Sequence, residues 1–336
     1  MNEVLEKNYC LCQSIKNVLD KKFKKHNTCV DAYVINSFIG FEKLLSEIEK
    51  FNNENMANFA VFRGVENYKY DLRCSLDVNN LGFYEGDMVS NLYNKMPEEF
   101  QGLSEYAIVA KMQHYGMPTR LLDFSRNPLV ALWFACCNES GSKIDYKNDG
   151  LIYIWILPKF LSQKQITYFS QIMAHGLYYD KNAFDNYLDD DFVFQYFHFM
   201  NIFIEPVIVT PRERNQQSIF LAMPNSILLW NPDTRDEKFI DCITDVDNYL
   251  KNGYKVMFEP GLLKISDEEV NNFCIKVIVK SNIKSQILKS LSLRGISRDF
   301  LFPEIHNQIK GIKEKFICQV KSIEPLLIQS NWIRRK

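Results

Sequence analysis

Apolar positions recur at helical spacing twice near the start of the chain. In "SIKNVLDKKFKK" they leave a basic outer face, and in "FIGFEKLLSEIEKF" Phe41, Leu44, Leu45, Ile48 and Phe51 form one stripe, so two amphipathic helices are expected. "NNEN" breaks the pattern, and "NFAVFRG" then predicts a short buried strand ending at Gly64. Residues 65–102 are turn-rich and predict no clear element. "LSEYAIVAKMQHYG" predicts a helix capped by Ser104 and stopped at Gly116. Pro118 cannot continue that helix, so "TRLLDF" leaves it as a strand. Pro128 opens an apolar helix, "PLVALWFACC", that runs to "NESGSK".

"GLIYIWIL" predicts a buried strand, residues 158–201 an aromatic-rich helical insert, and "IEPVIVT", "QSIFLAM", "YKVMFEP" and "NFCIKVIVK" four later strands. The helix "SNIKSQILKSLSLRG" and another beginning near Glu304 follow. Helices that precede and interrupt a run of closely spaced strands predict an α+β fold: a mixed, mainly antiparallel sheet flanked by helices, with an N-terminal helical segment. Three parts are expected, namely a helical segment over 1–52, a main domain over 53–320, and a basic tail over 321–336.

The 336 residues are 46% hydrophobic and 24% charged, with 25 Phe and 17 Tyr, which predicts a water-soluble globular protein with a large core. A formal net charge of −1 argues against a whole-chain pull on nucleic acid or anionic lipid, although a local basic face such as "IRRK" leaves nucleic acid open as a partner. No apolar stretch has the length of a signal peptide or a membrane span. The nine cysteines form no paired metal knuckle, so buried thiols in a reducing cytoplasm are expected, with no metal and no membrane contact.

Phosphate-cradling glycine loops, dinucleotide fingerprints, zinc-hydrolase helices and nucleophile elbows are absent from the sequence. What stands out instead is "QHYGMPTRLLDFSRNPLVALWFACC", which sets polar groups against an apolar run. Thr119, Asp123 and Ser125 alternate with Leu122 and Phe124, so one face of that strand is polar, and its groups need either protein partners or a ligand. Arg120 and Asp123, three apart, fall on opposite strand faces and each needs a partner elsewhere. Gln113 offers an amide donor and acceptor, His114 a proton carrier near a helix end, and Asn127 a candidate ligand contact beside the free N–H groups of the next helix. Arg63 at the end of the first buried strand has a planar fork suited to phosphate or carboxylate, and Gly64 would admit a ligand close to the backbone. Before a later strand, Arg214 and Gln217 form either a solvated turn or a further wall of the pocket that holds Arg63.

In combination, "FRG" at 62–64, "YDLRCSL", "AKMQHYGMPTRLLDFSRNPLVALWFAC", "VIVTPRERNQQSIF" and "IVKSNIKSQILKSLSLRGISRDFLFPEI" resemble the FRG domain of bacterial and phage proteins over about Asn58 to Lys315. Ser218 departs from the family, which more often has glycine there. The resemblance implies an effector in anti-phage defence or abortive infection. A more distant similarity, to ADP-ribosyltransferases, implies that Arg63 clamps the pyrophosphate of NAD, Ser125 binds its ribose, Gln217 orients the reacting sugar, and His114 or Asp123 acts as acid or base. Those enzymes carry a glutamate where Gln217 stands here, and Glu213 lies off that pattern. The readings left open are this NAD-using transferase, a metal-independent ribonuclease toxin, and a binding module without turnover. A nucleotide or other small molecule is the expected partner, with a protein partner at the N-terminal helices.

Overall fold

The computed structural model describes residues 2–304 except 30, 55–59, 80, 82–83, 139–143, 157–201, 206–209, 224, 241–250 and 263–266. The aromatic-rich insert, the helix expected beyond Glu304 and the basic tail therefore lie outside the described residues.

The chain opens with α1 (Asn2–Asp20), β1 (Ala32–Ile35), α2 (Phe38–Glu54) and β2 (Ala60–Val65). Next come α3 (Ser75–Val78), α4 (Glu85–Lys95), α5 (Glu105–His114), β3 (Leu121–Ser125), α6 (Pro128–Phe134) and β4 (Gly150–Ile156). The second half carries β5 (Ile202–Ile204), α7 (Pro211–Gln216), β6 (Ser218–Ala222), β7 (Asn225–Asn231), β8 (Asp236–Ile240) and β9 (Lys255–Leu262). It continues with α8 (Asp267–Phe273), β10 (Cys274–Val279), α9 (Lys284–Ser292) and α10 (Arg298–Leu301).

Seven strands form one sheet in the order β1-β10-β4-β2-β3-β6-β5, and three form a second in the order β8-β7-β9. Among the described residues only β1 against β10 is parallel; the other junctions are antiparallel, as an α+β reading expects. The N-terminal segment thus contributes a strand as well as helices. The alternation in "AYVI" is too short to separate from its surroundings in sequence, and its partner β10 lies more than two hundred residues away. Of the "IEPVIVT" run, Ile204 lies in β5 and Thr210 caps α7, while residues 206–209 lie outside the described residues.

Local signals at the helix ends behave as the sequence predicts. The Ser104 side chain accepts from Ala107 N–H at the start of α5, and Asn127 accepts from Leu129 N–H at 2.9 Å with Pro128 in the first turn of α6. Gly116 takes φ +93°, the left-handed turn that lets the chain leave α5.

The large sheet is covered on both faces. Ile15 and Leu19 of α1, Phe41 and Leu44 of α2, Val130 and Leu132 of α6, and Ile287 of α9 pack with Phe62, Ile152 and Val277 on one face. On the same face further along, Tyr106, Val109 and Met112 of α5 pack with Leu121, Phe220 and Ala222. The opposite face carries Val61, Leu122, Phe124, Tyr153 and Trp155 under Leu72 and Leu76. Between the first two apolar clusters runs a polar seam made by Asp123 and Ser125 of β3.

Candidate functional site

β2 and β3 are neighbours joined at a single residue pair, Phe62 with Ser125. On their outer sides the same strands are fully laddered, β2 to β4 from Ala60–Ile156 to Val65–Leu151, and β3 to β6 from Leu121–Ala222 to Ser125–Ser218. Beyond Phe62 the ladder gives way to a side chain: Arg63 Nη1 donates to the Asp123 carbonyl at 2.6 Å. The sheet therefore opens along this line, with a guanidinium at the opening.

Asp123 borders that line, its side chain on the face of the sheet that carries Leu121 and Ser125. Every other residue of β3 is buried, whereas Asp123 is exposed. Its Oδ1 accepts from Gln113 Nε2 at 2.9 Å. The other end of the Gln113 amide, Oε1, accepts from the Thr119 hydroxyl, which in turn accepts from Leu121 N–H at 3.2 Å. Thr119 is fully buried, and its backbone is tied to α3, since Thr119 N–H donates to Ser75 Oγ at 3.2 Å and Leu76 N–H to its carbonyl at 3.3 Å. Arg63 thus reaches the Asp123 backbone, while Gln113 and Thr119 form a chain of hydrogen bonds to its side chain.

Other predicted residues are committed to the scaffold. Arg120, 0% exposed, meets Glu85, 1% exposed, through Nε at 2.8 Å and Nη2 at 2.6 Å, and its backbone N–H reaches Glu85 Oε1 at 3.3 Å. This buried pair fastens α4 to the start of β3, so Arg120 is an anchor and not a ligand contact. Ser125 donates to the Gln216 carbonyl at 2.6 Å and accepts from Asn127 N–H at 2.9 Å, so its hydroxyl is used on both counts by the protein. The Asn127 side chain is occupied in capping α6. Gly64 serves close packing of protein on protein: a Cβ there would lie 1.8 Å from the Ala131 carbonyl oxygen of α6. The space expected for a ligand is filled by backbone.

His114 turns away from the opening. Its side chain is 5% exposed, its Nε2 lies 3.1 Å from Oε1 of the fully buried Glu213, and its ring meets Phe220 edge-on at 6.0 Å. Glu213 also closes a capping box with Thr210, accepting from Thr210 N–H at 2.7 Å while Thr210 Oγ1 accepts from Glu213 N–H at 3.1 Å. Beside them Tyr106 is 1% exposed and its hydroxyl has no hydrogen-bond partner among the described residues. Burial first, then the Glu213 and Asp123 charges, push that phenol well above its ordinary range, so it stays protonated. Arg214 and Gln217 are exposed on α7 and at its end. Gln217 takes φ +48° there, and its carbonyl accepts from Arg126 N–H at 3.0 Å, one step past the Ser125–Ser218 pair. Neither side chain contacts Arg63 or Asp123 among the described residues.

Sequence reasoning missed Glu85, Tyr106 and the partnership of Glu213 with His114. Thr210-x-x-Glu213 is a readable capping box, and that signal could have placed Glu213 at a buried helix start. Nothing local could have found Glu85, which is set opposite Arg120 only by the packing of α4.

The described residues also form an open groove of about 600 Å³ between α4 and Met117, lined by Leu81, Tyr84, Met88 and Leu92. It is mainly apolar and does not include the polar set around Asp123.

Residues 58–143 match the family model of the FRG domain. That span holds Arg63, Gln113, Thr119, Arg120, Asp123, Ser125 and the buried pair with Glu85. The later sequence blocks, from α7 onward, lie beyond it. No curated protein and no solved structure gives a significant match to the chain.

Proposed function

We propose that this FRG domain binds a nucleotide in the opening between β2 and β3, and that it acts on NAD in the manner of an ADP-ribosyltransferase. The observation that carries the reading is Asp123: an exposed carboxylate in the middle of an otherwise buried strand, with the Arg63 guanidinium on its own carbonyl at 2.6 Å. A cation and an anion held at one break in a sheet are complementary to a ligand that carries both phosphates and sugar hydroxyls. Arg63 supplies the charge for a pyrophosphate, and Asp123 accepts a ribose hydroxyl or takes its proton. The ribose contact expected of Ser125 passes to Asp123, because the serine hydroxyl already donates and accepts within the protein. Gln217, exposed at the end of the β3–β6 ladder, orients the sugar.

The ribonuclease alternative is less well supported, since its acid–base group would be His114, which is buried against Glu213. Free thiols at Cys10, Cys12, Cys29, Cys74, Cys136 and Cys137 agree with action in the cytoplasm. There, depletion or transfer of a nucleotide would be the effector step of anti-phage defence.

Calorimetry with NAD and with ADP tests the reading, together with an assay for released nicotinamide. Wild-type protein is expected to bind NAD, and Arg63→Ala to lose binding while melting at a similar temperature. Binding without nicotinamide release would reduce the protein to a ligand-sensing module. No binding of either nucleotide would refute the proposal.

A further inference from the structure

Thr119, Gln113 and Asp123 are joined in a chain whose direction is set at one end by the Asp123 carboxylate and is continued at the other by the backbone. Leu121 N–H can only donate, and it donates to Thr119 Oγ1 at 3.2 Å. The hydroxyl therefore turns its own proton elsewhere, to Gln113 Oε1. An amide whose oxygen is engaged in this way must present its NH2 on the other side, and that group meets Asp123 Oδ1 at 2.9 Å. The reverse amide orientation would set its oxygen against a carboxylate oxygen, two acceptors with no proton between them. The acceptor-only Asp123 carboxylate thus decides which way the Gln113 amide faces, and the Thr119 hydroxyl holds its other end.

The consequence lies at Asp123. Oδ1 is held by Gln113, and the backbone carbonyl is held by Arg63 at 2.6 Å. Among the described residues nothing donates to Oδ2. Fixed at both the main chain and one oxygen, the carboxylate keeps Oδ2 open to a donor, and it sits on the exposed position of β3.

From this geometry we infer that Gln113 and Thr119 are positioning residues that aim Asp123 Oδ2 at a hydroxyl of the ligand, and do not themselves touch it. The identity of that hydroxyl, on a nucleoside sugar, rests on the nucleotide reading above; the aiming does not. A preset acceptor spares the ordering cost that a free-swinging aspartate would meet on binding. It also gives the cleft two separable halves, an anion half at Arg63 and a hydroxyl half at Asp123.

The halves can be told apart with two probes, NAD and inorganic pyrophosphate, titrated against Thr119→Val, Thr119→Ser and Gln113→Leu of the full chain. Thr119→Val and Gln113→Leu are expected to weaken NAD by about tenfold or more, the scale of one hydrogen bond to a charged group. Thr119→Ser, which keeps the hydroxyl, should restore wild-type affinity. Pyrophosphate, which has no hydroxyl to offer, should bind all four proteins alike. Parallel loss of pyrophosphate binding, failure of the serine to rescue, or unchanged NAD binding in both Thr119→Val and Gln113→Leu would overturn the inference.

If wild-type protein binds neither probe, the nucleotide reading fails and the positioning is judged by NMR of protein labelled with 15N at glutamine. The Gln113 side-chain amide should be displaced and protected from exchange, should lose both features in Asp123→Ala and Thr119→Val, and should keep them in Thr119→Ser. A spectrum without such an amide, or one unmoved by Asp123→Ala, would overturn it.

Discussion

Arg120 and Glu85 make a quantitative test of whether the charged part of the motif is scaffold or site. Both side chains are out of contact with water, at 0% and 1% exposure, and they meet through two bonds of 2.8 and 2.6 Å. Replacing Glu85 with leucine leaves a guanidinium enclosed without its counter-charge. Breaking one side of a buried pair costs about 3–5 kcal/mol. Replacing both, as Glu85→Leu with Arg120→Met, removes the stranded charge, and apolar replacements of such pairs are often neutral or better. One cost persists in the double variant, because Glu85 Oε1 also accepts Arg120 N–H at 3.3 Å, and an unsatisfied buried N–H costs about 1–3 kcal/mol. The double variant should therefore lie well above the Glu85→Leu single in stability. Urea unfolding followed by tryptophan fluorescence reads these differences as shifts in midpoint at constant slope. Since Arg120 lies under α4 and away from the opening, the folded double variant should also bind NAD like wild type. A single variant that loses less than about 1 kcal/mol, or a double variant as damaged as the sum of the singles, would refute the isolated-pair argument.

Two further outcomes follow from other parts of the fold. Gly64→Ala places a methyl 1.8 Å from the Ala131 carbonyl oxygen, and backbone on both sides leaves nothing flexible to give way. A loss of about 1–3 kcal/mol or more is expected in the same urea assay, and a wild-type midpoint would show that α6 does not rest on this glycine. At the end of the β4–β10 ladder, burial would raise the Asp149 carboxyl, but the Lys280 ammonium and Ser281 N–H, each at 2.8 Å, hold it below its ordinary range. A lowered carboxyl contributes stability above its unfolded value, about pH 3.9, and loses it as pH falls through the folded value. Stability should therefore decline more steeply below about pH 4 in wild type than in Asp149→Asn; equal slopes would refute the assignment.

Much of the local structure was legible in the residue order because its causes are local. Ser104, Asn127 with Pro128, and Gly116 set helix ends through the bonds and torsions of their immediate neighbours, and the structure places those ends within a residue or so of where the pattern does. Alternation along Leu121–Ser125 likewise showed that one strand face is polar. The turn-rich stretch over 65–102 hid α3 and α4, whose few apolar positions acquire meaning only against Leu122 and Phe220 in the assembled sheet. β7 and β8 were missed for a related reason, since each is defined by pairing with a partner strand.

By itself the order of residues determined the α+β class, the ends of α5, the start of α6 and the list of polar groups with no obvious place in a core. Only the tertiary structure decided what each of those groups does. It gave Arg120 to Glu85, His114 to Glu213 and Gly64 to the backbone of α6, and it left Asp123 facing outward beside Arg63. The division has one physical reason. Torsional preferences and side-chain periodicity act over a few residues and are written in them. A buried charge needs a partner in space, and which partner arrives is fixed by packing between elements far apart along the chain.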